Sequence, residues 1–249
     1  MEHSSHKITM SSPISKSAGS LTEPPGDSLS HWEERSAHRV LESGRDQILE
    51  RSRKIVDAAY ELLDEEGLDG LTIRAVLEKT GLSRRAFYER FEGKDDLVLA
   101  VFEYGIRRAA NGLEELVSTN ADPMERLRII VTSIVCGNTT LAQPAGRPSN
   151  RRGAALSREH LRLAESRPTE LQVALGPLLD VITQQLSAAM RAGTVRGGDP
   201  RRMATLVYNL VSTTVHTELL AQESEQPDLG QRAELAAEIW EFCRRAVTM

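Results

Sequence analysis

The spacing of apolar residues restricts the fold of this chain more than any other feature. From Asp46 onward these residues recur on one face of successive helices, as Ile55, Ala59 and Leu62 do in the first of them. No segment alternates apolar and polar residues as a half-buried strand does. The sequence therefore predicts an all-α fold.

Composition narrows the class of protein further. The chain has 249 residues, of which 40% are hydrophobic, so it can enclose a core in one large or two smaller domains. No apolar run reaches the roughly eighteen residues that a transmembrane helix needs, and no secretory signal is readable. Two cysteines, Cys136 and Cys243, are too few for a disulfide scaffold or a multi-cysteine metal site. We expect a cytoplasmic protein with no membrane partner, metal or cofactor.

The first 45 residues differ from the rest in composition. They contain 11 Ser, 3 Pro and 3 Gly, which predicts disorder over residues 1–29. Ser30 and Glu33 form a capping-box pattern, which predicts a short helix that Gly44 ends. The four histidines of this tail match no standard spacing of metal ligands.

Two short helices follow the first long one and lie close together in the sequence. They are predicted over residues 73–79 and 84–90, and Thr72 and Ser83 stand before them as good N-caps. Gly81 between them suits a left-handed turn. Two short helices joined by such a turn are typical of a helix-turn-helix DNA-binding motif.

The charge of this segment fits that interpretation. Between Leu71 and Lys94 there are six basic and three acidic residues, whereas the stretch from Asp46 to Gly70 carries eight acidic residues. The net charge of the whole chain is −5, so an affinity for DNA must come from this local basic stripe. A solvated basic helix on an ordinary helical protein is the alternative, and the combined caps, turn, spacing and charge favour the DNA-binding interpretation.

The second helix of the motif has an apolar and a basic side. Leu82, Phe87 and Phe91 can face inward. The side chains left for the DNA groove are Arg84, Arg85, Tyr88 and Arg90. Arginine can bond guanine or phosphate, and a tyrosine hydroxyl can bond phosphate.

Residues 48–105 resemble the N-terminal domain of TetR-type transcriptional regulators. The matching features are the first helix, IVDAAYELLDEEG, the Leu-Thr-Ile-Arg opening of the second, the Gly-Leu-Ser turn, the Phe-Tyr-x-x-Phe of the third, and the Lys that begins the fourth. The resemblance implies a dimer with one recognition helix per subunit, a palindromic operator and a C-terminal domain that binds a small effector. Repression is the commoner mode of that family.

The resemblance also implies residue roles. Thr72 and Arg74 match second-helix positions that touch DNA, and Tyr88 and Lys94 match phosphate contacts. The recognition positions carry departures, because Gly or Pro is common where Arg85 stands and Thr or Ser where Ala86 stands. The full predicted DNA-binding set is Thr72, Arg74, Ser83, Arg84, Arg85, Ala86, Tyr88, Arg90 and Lys94.

The C-terminal part reads as further helices, among which two carry most of the information. Apolar residues surround nearly the whole circumference of the helix predicted over residues 200–222, and such a helix is buried on nearly all sides. It and the last helix, residues 229–247, are therefore the predicted homodimer interface. Burial within a monomer is the alternative. In residues 168–192, Gly176-Pro177 should kink or break the helix.

A polar stripe interrupts the apolar helix of residues 200–222. Asn209, Thr213 and His216 follow helical spacing, and buried polar groups need partners. A small-molecule effector or a neighbouring helix can supply them. His160 is a weaker candidate for a ligand-binding residue. The predicted pocket lies among the helices of residues 122–137, 168–192 and 200–222.

The sequence thus predicts a DNA-binding regulator and no enzyme. It contains no phosphate-binding loop, nucleophile elbow or His-Glu-x-x-His motif. The predicted domains are a tail (1–45), a DNA-binding domain (46–106, motif about 72–91) and a helical effector-binding and dimerisation domain (107–249). The alternatives are an activator and a helical small-molecule-binding module without DNA activity.

Overall fold

The structure is a computed structural model that describes residues 31–137, 151–221 and 228–248, with side chains from Gly44 onward. These residues form helices joined by short connections, and within them no strand is present beyond an isolated bridge between Val195 and Thr248. The all-α prediction is therefore confirmed. The helices are α1 (His31–Glu65), α2 (Gly67–Gly70), α3 (Ile73–Thr80), α4 (Arg84–Tyr88), α5 (Lys94–Val117), α6 (Pro123–Cys136), α7 (Arg151–Ser166), α8 (Pro168–Arg191), α9 (Pro200–Ala221) and α10 (Leu229–Val247).

The chain divides into two units, residues 1–47 and residues 48–249. The first unit contributes the beginning of α1 to the described structure, and the disorder predicted for residues 1–29 lies outside the described residues. The prediction that Gly44 ends a short helix is wrong, because α1 continues through it to Glu65. Gly44 is not among the glycines with positive φ, so it keeps a helical backbone and weakens the helix without ending it.

Two hydrophobic cores lie within residues 48–249. The first is enclosed by α1, α3, α4 and the start of α5, and Phe87 and Phe91 are buried in it as predicted. The second is built from α5 together with α6, α8, α9 and α10, and it includes Phe102 and Tyr208. Among the described residues, no helix is long and apolar enough to cross a membrane.

Helices α5 and α7 each contribute to both cores. Leu97 and Val101 of α5 belong to the first core, whereas Leu113 belongs to the second. In α7, Ala155 packs in the first core and Leu163 in the second. Both helices therefore join the two cores.

Of the predicted kink or break at Gly176-Pro177, the break does not occur, because helix α8 continues through Pro177. A proline leaves the carbonyl four residues earlier without its backbone donor. That residue is Val173, which is exposed, so water can replace the missing hydrogen bond.

Candidate nucleic-acid interface

Local capping interactions fix the two short helices α3 and α4. The Thr72 hydroxyl accepts a hydrogen bond from the Ala75 amide at 3.1 Å, and the Ser83 hydroxyl accepts one from the Ala86 amide at 3.2 Å. Gly81 adopts a φ of 70°, and its amide donates to the Leu77 carbonyl. Both predicted caps and the left-handed turn are therefore present. Helix α4 is two residues shorter than predicted and ends at Tyr88.

The exposed side of this motif carries polar and basic side chains. Tyr88 is the largest of them, with 55% of its surface exposed and its ring 5.3 Å from that of the buried Phe87. Contact with Phe87 therefore holds the Tyr88 ring in place, and its hydroxyl is available to a partner. The other exposed residues of the predicted set are Thr72, Arg74, Ser83, Arg84, Arg85 and Lys94.

Two of the exposed arginines are held by carboxylates one turn away. Arg74 Nε lies 2.8 Å from Glu78 Oε1, and Arg85 Nε lies 2.9 Å from Glu89 Oε1. The hydrogen bond from Arg85 lowers the pKa of Glu89, so this carboxylate stays ionised. Exposed pairs of this kind contribute at most about 1 kcal/mol, so a phosphate or a base can replace the carboxylate.

The remaining basic residues of the stripe differ in their availability. Arg84 is exposed and has no partner in the part of the chain that the structure describes. Lys94 is also exposed, with Nζ 3.4 Å from the Leu68 carbonyl. Lys79 is bound to α1 through Glu65, at 2.7 Å, and Glu61, at 3.2 Å, and the hydrogen bond to Glu65 raises its pKa. The basic surface free to meet an anion is therefore narrower than the sequence indicates.

Two residues of the predicted set do not lie on the exposed side. Ala86 is buried, and only 6% of the Arg90 side chain is exposed. The expectation for Arg90 assumed a helix that continues to residue 90, but α4 ends at Tyr88 and the chain turns inward toward Phe91. In this structure Ala86 and Arg90 therefore do not face the exposed side of the motif.

Two arginines at the N-terminal end of α7 contact helix α1. Arg152 Nη1 lies 3.0 Å from Asp64 Oδ2, and its guanidinium carbon lies 4.7 Å from the centre of the Tyr60 ring. Arg151 donates to the Glu65 carbonyl at 2.8 Å. These contacts bind the N-terminal end of α7 to the C-terminal end of α1.

A cluster of polar rings lies where α5, α7 and α9 meet. The rings of His160 and His216 are 4.7 Å apart, and the Tyr208 hydroxyl is 3.5 Å from His160 Nδ1. Burial lowers the pKa of His160. Burial, together with His160, lowers the pKa of His216 to about 4, so both imidazoles are neutral near pH 7. Sequence analysis missed this pairing, because the two histidines are distant in the chain.

The other two residues of the predicted polar stripe are not part of this cluster. Asn209 and Thr213 are exposed, whereas His216 is half-buried against α7. Asn209 and Thr213 share an exposed face of α9 with Leu206, which is 61% exposed. On α10, Phe242 is 64% exposed. Within a single chain α9 therefore keeps an exposed side, and its burial on nearly all sides remains a prediction that requires a partner subunit.

Comparison with known proteins identifies the motif. Residues 55–101 match the sequence model of the tetR family of bacterial regulatory proteins. Residues 55–101 therefore form a DNA-binding domain of the TetR type. The fatty acid metabolism regulator protein of Bacillus subtilis (strain 168) is 21% identical over 168 residues, which are 66% of this chain and 81% of that protein. An uncharacterised HTH-type transcriptional regulator of Mycobacterium tuberculosis is 29% identical over 66% of this chain and 79% of its own.

Solved structures show the same fold. A TetR-family regulator from Pectobacterium atrosepticum has a TM-score of 0.63 at 17% identity and covers 82% of this chain and 97% of its own. FadR from Bacillus subtilis, solved with stearoyl-CoA, has a TM-score of 0.57 at 18% identity over 77% and 96% of the two chains. RolR, solved with resorcinol, has a TM-score of 0.56 at 17% identity over 81% and 96%. The chain thus carries a TetR-type DNA-binding domain and shares the fold of TetR-family transcriptional regulators.

Proposed function

We propose that the protein is a ligand-responsive repressor that binds a palindromic operator as a homodimer. The observation that carries the proposal is the exposed side of α4, where Arg84, Arg85 and Tyr88 stand outside a capped and buried scaffold. A rigid helix with exposed arginines and a phenol suits the major groove. Repression follows the commoner mode of the family.

The proposed contacts divide into base-reading and phosphate-binding groups. Arg84 and Arg85 read bases, because guanidinium groups pair with the acceptor edge of guanine. Tyr88 and Lys94 bind phosphates on either side of the groove. The proposed contacts from the first helix of the motif and from the cap of α4 are Thr72, Arg74 and Ser83.

The proposed homodimer uses the exposed apolar residues of α9 and α10. Leu206 and Phe242 are large, apolar and more than half exposed in one chain, and a second copy can cover them. Such an interface forms a four-helix arrangement across a two-fold axis. Two recognition helices related by that axis must lie about 34–36 Å apart to meet successive major grooves.

Selection from a pool of random DNA duplexes tests this proposal. We expect enrichment of an inverted repeat whose half-sites lie about 10–10.5 base pairs apart, bound by two copies of the chain. In a reporter strain carrying that sequence, the protein should lower transcription. Increased transcription would identify an activator. Failure to enrich any sequence from a folded sample would favour a helical small-molecule-binding module without DNA activity.

The proposed effector site is the polar ring cluster of α5, α7 and α9. His160, His216 and Tyr208 offer neutral donors and acceptors to a polar group of a small molecule. FadR and RolR, which share the fold, were solved with small molecules bound. The site lies nearer α7 than the sequence predicted, and Asn209 and Thr213 are assigned to the dimer face instead.

Helices α5 and α7 are the proposed connection between effector and DNA. Each of the two helices packs in both cores. Helix α7 carries His160, and near its N-terminal end Arg152 contacts Asp64 of α1. An effector lowers DNA affinity if it binds more tightly to a dimer whose recognition helices are not about 34–36 Å apart. By linkage, DNA lowers effector affinity by the same factor.

A thermal-shift screen of small molecules tests the site. For a compound that raises the melting temperature and releases DNA, His216→Ala should weaken the response and leave DNA affinity without the compound unchanged. Asn209→Leu and Thr213→Val are the matched controls on the same helix. An unchanged response in His216→Ala would move the pocket elsewhere.

A further inference from the structure

The C-terminal end of α4 has an unusual pattern of backbone hydrogen bonds. The Glu89 amide donates to the Arg85 carbonyl at 3.0 Å, as in a regular helix. The Arg90 and Phe91 amides then both donate to the Phe87 carbonyl, at 2.9 and 3.0 Å. The carbonyl between these two acceptors, that of Ala86, receives no backbone donor within the described residues. A buried carbonyl at a helix end needs another partner.

The Arg90 side chain supplies that partner. Its Nη1 donates to the Ala86 carbonyl and lies 3.4 Å from Glu89 Oε2. Only 6% of the side chain is exposed, and Nε is buried with no hydrogen-bond partner in the part of the chain that the structure describes. Burial of a guanidinium with one unsatisfied N–H is unfavourable, so the bond to Ala86 must offset that cost.

A chain of charges connects this buried group to the exposed side of α4. Glu89 accepts hydrogen bonds from both Arg85 and Arg90. The Arg85 side chain is 90% exposed, whereas that of Arg90 is almost fully buried. One carboxylate therefore neutralises the buried guanidinium and also orients an arginine on the predicted DNA side.

We propose that Arg90 is a positioning residue for DNA recognition. Its guanidinium closes the C-terminal end of α4, where the helix dipole favours a cation, and fixes the orientation of the exposed side chains without touching DNA. A five-residue helix is too short to be stable by itself, so its ends must be held from outside. Ser83 holds the first end and Arg90 holds the last.

The geometry separates this role from a phosphate contact. To reach a phosphate, Arg90 would have to leave the Ala86 carbonyl, which would then be buried without a donor. Pre-organisation of α4 lowers the ordering cost of binding, so its loss should weaken binding to DNA. Loss of a phosphate contact would in addition lower the salt dependence, because fewer counterions would be released.

The experiment compares Arg90→Met, Arg90→Lys and the control Lys94→Met on the selected duplex at several salt concentrations. We expect Arg90→Met to bind roughly tenfold more weakly with an unchanged salt slope, as for a lost hydrogen bond to a charged group. Lys94→Met removes the proposed phosphate contact and should lower the slope by about 0.9. Arg90→Lys keeps a cation near the carbonyl and should recover part of the affinity.

A second readout needs no DNA. Amide hydrogen exchange of residues 87–91 should accelerate in Arg90→Met and return toward the wild-type rate in Arg90→Lys, with the other described helices unchanged. The proposal is overturned if Arg90→Met lowers the salt slope by about one, or if both affinity and exchange stay at wild-type values. If Arg90→Met fails to fold, Arg90→Gln takes its place, and a salt slope lower by about one in that variant overturns the proposal as well.

Discussion

Helices α4 and α9 both expose side chains to solvent, but the chemistry of the two surfaces differs. On α4 the exposed groups are guanidinium and phenol groups around Arg84, whereas α9 exposes Leu206 beside small polar residues. The first surface suits a charged, hydrated partner such as DNA, and the second suits a like surface that excludes water. One chain can therefore carry two independent interfaces, and each can be broken separately.

The largest expected effect is on the α9 and α10 surface. Leu206→Glu with Phe242→Glu should convert the dimer to monomers and weaken operator binding by about 100-fold or more, because a lone subunit holds one half-site and buried carboxylates cost several kcal/mol. Analytical ultracentrifugation and DNA titration measure the two effects. Leu161→Glu, at a half-exposed leucine of α7, is the control and should leave the dimer intact. A Leu206→Glu, Phe242→Glu dimer with wild-type affinity would disprove this interface.

The next effect sharpens the assignment of roles on the DNA side. Arg84→Ala should cost roughly 1–3 kcal/mol on the operator and little on unrelated DNA, because a base contact is lost. Lys94→Ala should weaken binding to all sequences alike and lower the salt slope by about one unit. If Arg84→Ala loses as much affinity on unrelated DNA as on the operator, Arg84 reads no base.

The smallest effect concerns the polar ring cluster between the two surfaces. The pKa of His216 is about 4 when folded, against an ordinary value of 6.5, so the unfolded chain binds the proton first as the pH falls. Stability should therefore fall between about pH 6.5 and pH 4, by on the order of 1 kcal/mol for this half-buried ring. Melting curves of wild type and His216→Phe measure it, and the variant should show a flatter dependence on pH. Identical pH dependences would contradict the assigned pKa.

The sequence predicted the DNA-binding motif well because its signals are local. Thr72, Gly81 and Ser83 each act on residues within four positions, so caps and turn could be read directly. The errors arose where the local signal competes with its surroundings. Gly44 permits a helix end without requiring one, and Pro177 is tolerated where water can reach the freed carbonyl.

The less predictable features depend on contacts between distant residues. His160 and His216 meet only because α7 packs on α9, and nothing near either residue indicates the other. Arg90 was predicted to face the groove on a helix that continues to residue 90, and its burial follows from the early end of α4. The exposure of Leu206 likewise depends on which helices pack on α9. The spacing of apolar residues alone does not show which side of α9 is left without a packing partner.

The most direct test of the account is the affinity of an Arg84→Ala, Arg85→Ala, Tyr88→Ala variant for the duplex selected by the wild-type protein. Fluorescence anisotropy measures it, and circular dichroism and ultracentrifugation confirm a folded dimer. We expect a loss of about 100-fold or more on the operator, since two arginines and a phosphate contact are removed from each subunit. A folded dimer of this variant with wild-type operator affinity would contradict the claim that α4 reads the DNA.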